Sequence, residues 1–437
     1  MSLARREYIL VGMLIVGALA VRAASLSWNT YVHGDVGIYA KSAESLAIRG
    51  TLLVSTETDR PYFYSLKAKG GRILDHNPLW PVLASPLVKF FNASGYGALQ
   101  ALSYIFGAVL LFLVYALGKR MGGEKVGLLA LAFSSLSFTL IDYSANGSFY
   151  ILQAVFYVAF VLAMLRIERW NRVISAGGIM GFGLLLNQQT LILVPALFLV
   201  LAVRFYKAPL EGVKRFLAVL GIMMLIYAPW GIRNYREFGA PFYSVDMSYV
   251  WDKLGVPREV AGDIVSFPIT GAIYMKLARQ SLASWLPHNA YFINRKLIVL
   301  APVTYVLAIF FLINYLFRKR EDRSETWFLP LMFVFLFHAL ISSAWPIAKF
   351  RYFVPLLPLA FLVGSQYIFH MVKAGALRRT LVVSSVALTT IVSTLTFLST
   401  PTHTDYYDGA LTTDNFGRNG ELDFILQTKS GELDPEW

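Results

Sequence analysis

Apolar residues run through the chain in long blocks separated by short polar stretches. A membrane-crossing helix needs roughly 17–25 mostly apolar residues. Segments at about 8–26, 98–117, 125–141, 147–165, 173–187, 189–205, 214–231, 296–317, 326–344, 352–372 and 379–399 meet or approach that length. The pattern predicts an all-α polytopic protein of about eleven transmembrane helices. The two segments that meet at Asn187-Gln188-Gln189 are short, and Gly177, Gly178, Gly181 and Gly183 make the first of them tightly packed or irregular.

After the first block the periodicity changes. In "YVHGDVGIYAKSAESLAIRG", Val36, Tyr39/Ala40, Ala43 and Leu46/Ala47 recur at helical spacing, while Lys41, Glu44 and Arg49 lie elsewhere on the wheel. This predicts an amphipathic helix lying along the membrane surface and ended by Gly50. Further on, "ILDHNPLWPVLASPL" carries Pro78, Pro81 and Pro86, which either shape re-entry toward the second span or simply punctuate a loop.

Composition agrees with the blocks. Apolar residues make up 57% and charged residues 15%, against about 45–50% and about 25% in soluble domains. Mean hydropathy is +0.56. With no cysteine, disulfides, thiolate metal sites and a cysteine nucleophile are excluded. The block at 8–26 follows Arg5-Arg6 as a signal peptide would, but no clear small-residue cleavage site follows it, so it is read as a retained first helix.

The formal charge of +13 reports topology before it reports a nucleic-acid partner. With a cytoplasmic N-terminus, the alternate loops hold Lys119-Arg120-Lys125, Arg166-Arg169-Arg172, Arg204-Lys207-Lys214-Arg215, Arg318-Lys319-Arg320-Arg323 and Lys373-Arg378-Arg379. Every one is a basic cluster, as the positive-inside rule requires. Residues 1–399 then form one transmembrane domain with external loops at about 27–97 and 232–295, and 400–437 form an acidic external tail.

The polar residues with possible chemistry collect on the external side. Asp35 opens the amphipathic segment, where it serves as an N-cap, as a reactive carboxylate, or as both. Asp142, in "TLIDYSANGSFY", sits at the external end of the third span, and a carboxylate at that depth faces protein or water rather than lipid. Asp75 and His76 read most simply as solvated groups, and Asn187 to Gln189 as a turn. "PWGIRNYREFGAP" places Arg233 and Asn234 just outside the seventh span, and "AKFRYFVPLLPL" places Lys349 and Arg351 before the tenth. Carboxylates and guanidinium groups at one membrane depth suit a lipid-linked phosphate substrate. The cation would stabilise the leaving phosphate and the acid would take a proton from an attacking hydroxyl.

The order and sidedness of Asp35, "NPLWPVLASPL", Asp142, "PWGIRNYREFG" and "RYFVPLLPL" resemble the GT-C superfamily of membrane glycosyltransferases, over the chain up to about residue 372. The nearest branch resembles the protein O-mannosyltransferases and the aminoarabinose transferase of lipid A. That resemblance implies an inverting transfer of a sugar from a polyprenyl-phosphate donor to a lipid, glycan or protein hydroxyl on the extracytoplasmic face of the plasma membrane. It implies Asp35 as catalytic base and Asp142 as a second acidic site residue. It also implies a substrate cavity bordered by Tyr39, Asp75, Asn77, Asn234 and Gln188. The chain departs from the family where Val36, Ile38 and His76-Asn77 replace an acid, an arginine and a Glu-Lys pair, which leaves Arg351, Arg233, Lys349 and His76 as alternative donor-phosphate cations. No ligand spacing for zinc is present, and a hard divalent ion at Asp35 and Asp142 is an open reading. Rival readings are a flippase of a lipid-linked saccharide, a glycan ligase or polymerase using a pyrophosphate lipid, and a non-catalytic scaffold.

Overall fold

The computed structural model describes residues 3–28, 34–54, 67–68, 71–73, 76–238, 241–242, 279, 281–291, 301–317, 328–344, 350–370, 372–373 and 375–399. Among the described residues, each of the eleven apolar segments meets a helix or a helical pair. They are α1 (Leu3–Trp28), α4 (Gly95–Gly122), α5 (Glu124–Leu136) with α6 (Phe138–Tyr143), α7 (Tyr150–Met164), α8 (Trp170–Leu186) and α9 (Leu193–Arg204). They continue with α10 (Pro209–Phe238), α11 (Pro302–Phe317), α12 (Leu329–Ser343), α13 (Leu357–His370) and α14 (Gly375–Ser399). By length and composition, the stretches Glu7–Leu26, Gly95–Gly122, Pro209–Arg236, Arg351–His370 and Gly375–Thr396 are each sufficient to cross a membrane.

Two further helices occupy the first external stretch, α2 (Gly34–Arg49) and α3 (Leu79–Phe91). Between them β1 (Leu53–Val54), β2 (Lys67–Ala68) and β3 (Gly71–Ile73) form a small antiparallel sheet in the order β1-β3-β2. Leu53 pairs with Ile73 and Lys67 with Arg72. The acidic tail from 400 and the residues 243–278 and 292–300 lie outside the described residues.

Local signals explain the helix ends. The side chain of Ser94 caps α4 by accepting from the Gly97 amide at 3.1 Å, and Asn92 ends α3 in the left-handed region (φ 52°). Gly50 closes α2 with φ 70°, as its position predicts. Asp35, however, is the second residue of α2, inside the first turn rather than at the cap. An acid there still faces the positive end of the helix dipole.

The amphipathic reading of the 31–50 stretch needs correction. Lys41 and Glu44, placed off the apolar face, are buried together with Val36, Tyr39, Ala40 and Ala43. One face of α2 is therefore not left to solvent as the wheel predicts, since the helix packs against α3 and α4. Glu44 Oε1 accepts from the Gly95 amide at 2.7 Å, so a side chain from α2 satisfies an orphan donor at the start of α4. Of the prolines after it, two lie within a helix rather than in a loop. Pro78 precedes α3, Pro81 lies in its first turn and Pro86 inside it, and Trp80 is fully buried.

α8 is regular and closely packed on α10. A β-carbon at Gly177 would come within 2.7 Å of Ile222 and one at Gly181 within 2.8 Å of Ile226. These two glycines, one turn apart, let the helices approach as small residues do in membranes. The core sits where α4, α5, α7 and α13 meet, with Phe133, Tyr157, Phe160 and Phe361 fully buried.

Candidate functional site

Asp142 lies in α6, a helix of a turn and a half that Ser137 separates from α5 by adopting an extended conformation (φ −66°, ψ 114°). It is 3% exposed, and Asn146 Nδ2 approaches its Oδ2 at 3.5 Å. The turn that follows is held from several sides. Asn146 Oδ1 accepts from the Ser148 amide at 2.9 Å, Gln100 Nε2 donates to Ala145 O at 2.9 Å, and Ser103 Oγ donates to Ser148 O at 3.2 Å.

Gly147 is the joint between this turn and α2. Its φ of +79° is unfavourable for any side chain, and a β-carbon there would come within 3.1 Å of Val36 Cγ1. Its carbonyl accepts from Trp80 Nε1 at 2.9 Å. The residue after Asp35 therefore packs on the turn that follows Asp142. The side chain of Asp35 lies outside the described residues, as do Asp75 and Lys349.

From there, ring contacts run across the helices. His76 meets Tyr39 edge-on with centroids 5.6 Å apart, and Tyr39 meets Phe149 at 5.7 Å. Phe149 stacks on Tyr150 at 4.3 Å, and Tyr150 lies 6.2 Å from Tyr352. The Arg351 guanidinium sits 5.7 Å from the Tyr352 ring. Arg351 and Tyr352 belong to a 3₁₀ segment, Phe350–Leu356, which contains Pro355. Arg351 is 5% exposed.

Asn77 extends the set in the other direction by donating to Leu184 O at 3.0 Å near the end of α8. The following 3₁₀ turn, Gln188–Ile192, is capped by Asn187, whose Oδ1 accepts from the Gln189 amide at 2.8 Å. This bears out the reading of that triplet as a turn. Gln188 Nε2 donates to Phe242 O at 3.3 Å. Arg233 lies 4.4 Å over the Trp230 ring and donates to Asn234 Oδ1 at 2.8 Å, while Asn234 Nδ2 reaches Pro241 O at 3.5 Å. Gln188, Arg233 and Asn234 thus gather around Pro241-Phe242.

Three residues that sequence reasoning did not single out make further links between the helices. His338 of α12 is fully buried, with Nε2 on Tyr352 O and Nδ1 on the Tyr157 hydroxyl. Gln153, one turn before Tyr157, donates to Gln189 Oε1 at 3.1 Å. Arg22 of α1 donates from Nε to Ser144 Oγ at 3.2 Å. The available signal was a lone ionisable residue inside an apolar span. Among the described residues no group of three His, Asp or Glu side chains converges to hold a metal ion.

The model of the dolichyl-phosphate-mannose-protein mannosyltransferase family matches residues 75–232, a stretch that includes His76, Asn77, Asp142 and Gln188. No curated protein matches the chain significantly. Among solved structures, the oligosaccharyltransferase of Archaeoglobus fulgidus tethered with an acceptor peptide superposes with a TM-score of 0.60 at 13% identity, over 89% of this chain and 54% of that one. The same enzyme, AglB, in complex with an inhibitory peptide and a dolichol-phosphate gives 0.60 at 12% identity, over 90% and 56%. The chain thus spans little more than half of that protein's length. ArnT from Cupriavidus metallidurans in the apo state gives 0.55 at 12% identity, over 91% of this chain and 77% of that one. At these identities the likeness is one of fold, shared with the Archaeoglobus fulgidus oligosaccharyltransferase and with ArnT.

Proposed function

We propose that this protein is a membrane glycosyltransferase of the extracytoplasmic face, moving a sugar from a polyprenyl-phosphate donor to an acceptor hydroxyl with inversion. The observation that carries the reading is the packing of Val36 on Gly147, which brings the first turn of α2 against the turn behind Asp142. The matched family segment and the shared fold support it. The positive-inside count puts these residues outside and the N-terminus in the cytoplasm.

In this reading Asp35 takes the proton from the acceptor hydroxyl as its oxygen attacks the anomeric carbon. The bond from that carbon to the phosphate oxygen breaks, and its electron pair leaves with polyprenyl phosphate. Attack from the opposite face inverts the configuration. Asp142, held by Asn146, orients the acceptor. Arg351 binds the phosphate and stabilises the charge that develops on it. An interfacial anchor would stand exposed among head groups, whereas Arg351 is buried beside Tyr352. Arg233, half-buried over Trp230, fits an anchor better.

The test is purified protein incubated with labelled polyprenyl-phospho-sugars, with a pyrophosphate-linked donor in parallel. Release of polyprenyl phosphate with a new glycosidic bond is the expected result. Release from the pyrophosphate donor alone would identify a ligase, and movement of intact donor across a vesicle membrane a flippase.

A further inference from the structure

The first span carries a buried charge that the proposed chemistry does not use. Arg22 is 1% exposed. Besides Ser144 Oγ, its guanidinium reaches Ala18 O from Nη1 at 3.1 Å and Ser134 O from Nη2 at 3.0 Å. The three nitrogens therefore engage α1, α5 and the turn after α6. Among the described ion pairs none involves Arg22. A cation at this depth is costly, and an apolar residue would fill the space more cheaply.

The site of contact explains the charge. α6 has six residues and is detached from α5 at Ser137, too short to hold its own shape. Its start is fixed by α14, through the Phe138 amide on Ser393 Oγ at 3.1 Å. Its end is fixed by Ser144, which donates to Leu140 O at 2.5 Å and receives the Arg22 Nε–H on the same oxygen. The α4 face closes around that hydroxyl, for a β-carbon at Gly107 would lie 2.5 Å from Ser144 Oγ. The main-chain carbonyl of Asp142 in turn accepts from the Ala145 and Asn146 amides at 2.8 and 3.0 Å.

We infer that Arg22 is a positioning residue for the Asp142 carboxylate, acting through Ser144. The first span would then do more than anchor the chain, since it sets the height and rotation of the helix that carries an acid of the site. The inference rests on Asp142 belonging to that site, and its test is built to stand apart from that reading.

Because the chain has no cysteine, Asn146→Cys gives a single thiol on the turn. Its alkylation is followed in detergent with Arg22 intact, Arg22→Lys and Arg22→Met, beside a control thiol at the exposed Ser175 of α8. Arg22→Met should raise the rate at residue 146 by about tenfold or more through release of the turn, with residue 175 unchanged. Arg22→Lys should fall between, because one ammonium cannot span all three acceptors. An unchanged rate at 146, or an equal rise at both thiols, overturns the inference whether or not transfer is ever detected. Without the reporter cysteine, Arg22→Met and Ser144→Ala should each lower kcat by about tenfold or more with donor KM held within about twofold, and the double variant should be no worse. Full turnover in a protein whose turn has been released overturns it too. If wild type transfers no sugar, the functional reading fails, and the alkylation result still decides whether Arg22 holds the turn.

Discussion

The imidazole of His338 stands 2.5 Å from the main-chain oxygen of Tyr352, with Nε2 aimed at it. A carbonyl only accepts, so Nε2 carries the proton, and in the neutral ring Nδ1 accepts from the Tyr157 hydroxyl at 2.9 Å. One side chain of α12 therefore ties α7 to the 3₁₀ segment that bears Arg351. His338→Phe keeps the ring volume but removes the donor to the Tyr352 carbonyl, at about 1–3 kcal/mol, while the Tyr157 hydroxyl retains Gln189 O at 3.4 Å. The expected result is a lowered melting temperature together with weaker donor use, as Arg351 loses its fixed place. Thermal unfolding in detergent and donor KM check this, and an unchanged KM would separate the packing from the site.

Asp35→Asn preserves size and the hydrogen-bonding capacity of the first turn while removing the proton acceptor. Turnover should fall by about 10²–10⁴-fold with folding intact. The measurement is kcat alongside the melting temperature. Near-normal kcat would leave Asp35 with a helix-end role only.

Arg351→Lys retains charge and loses the planar fork that grips phosphate with two parallel hydrogen bonds. Donor KM should rise several-fold, and the same change at Arg233 should leave it near wild type. If neither variant departs from wild type, His76 and Lys349 remain as the candidate cations.

Glu44 gives a pH dependence of stability. Burial raises its carboxyl above the usual range, opposed by the hydrogen bond from Gly95 and by the charge of Lys41. A raised value in the folded state means that the fold binds the proton more tightly than the unfolded chain. Stability from this group is therefore complete below the ordinary glutamate range and is lost as pH rises through the raised value. Glu44→Gln keeps an oxygen for the Gly95 amide and removes the titration. Its melting temperature should vary less with pH than that of wild type and should not fall below it near neutrality. A wild-type profile that is flat across the carboxylate range would show that the group does not report folding.

The sequence by itself determined where the apolar helices run, because a bilayer leaves few choices. Apolar length sets where helices form, so each of the eleven predicted segments meets a helix among the described residues. The end of α2 at Gly50 and the turn at Asn187 were equally legible, since left-handed glycine and a capping asparagine are local devices. What only the tertiary structure decided was which polar groups meet. Lys41 and Glu44 lie off the apolar face by periodicity, yet both are buried, and the Gly95 amide that Glu44 serves is 51 residues away. Arg22 and Ser144 are 122 residues apart, and His338 and Tyr157 are 181 apart. Such pairs leave no periodic mark in the chain, because a buried polar group needs only one partner and any helix packed beside it can supply that partner.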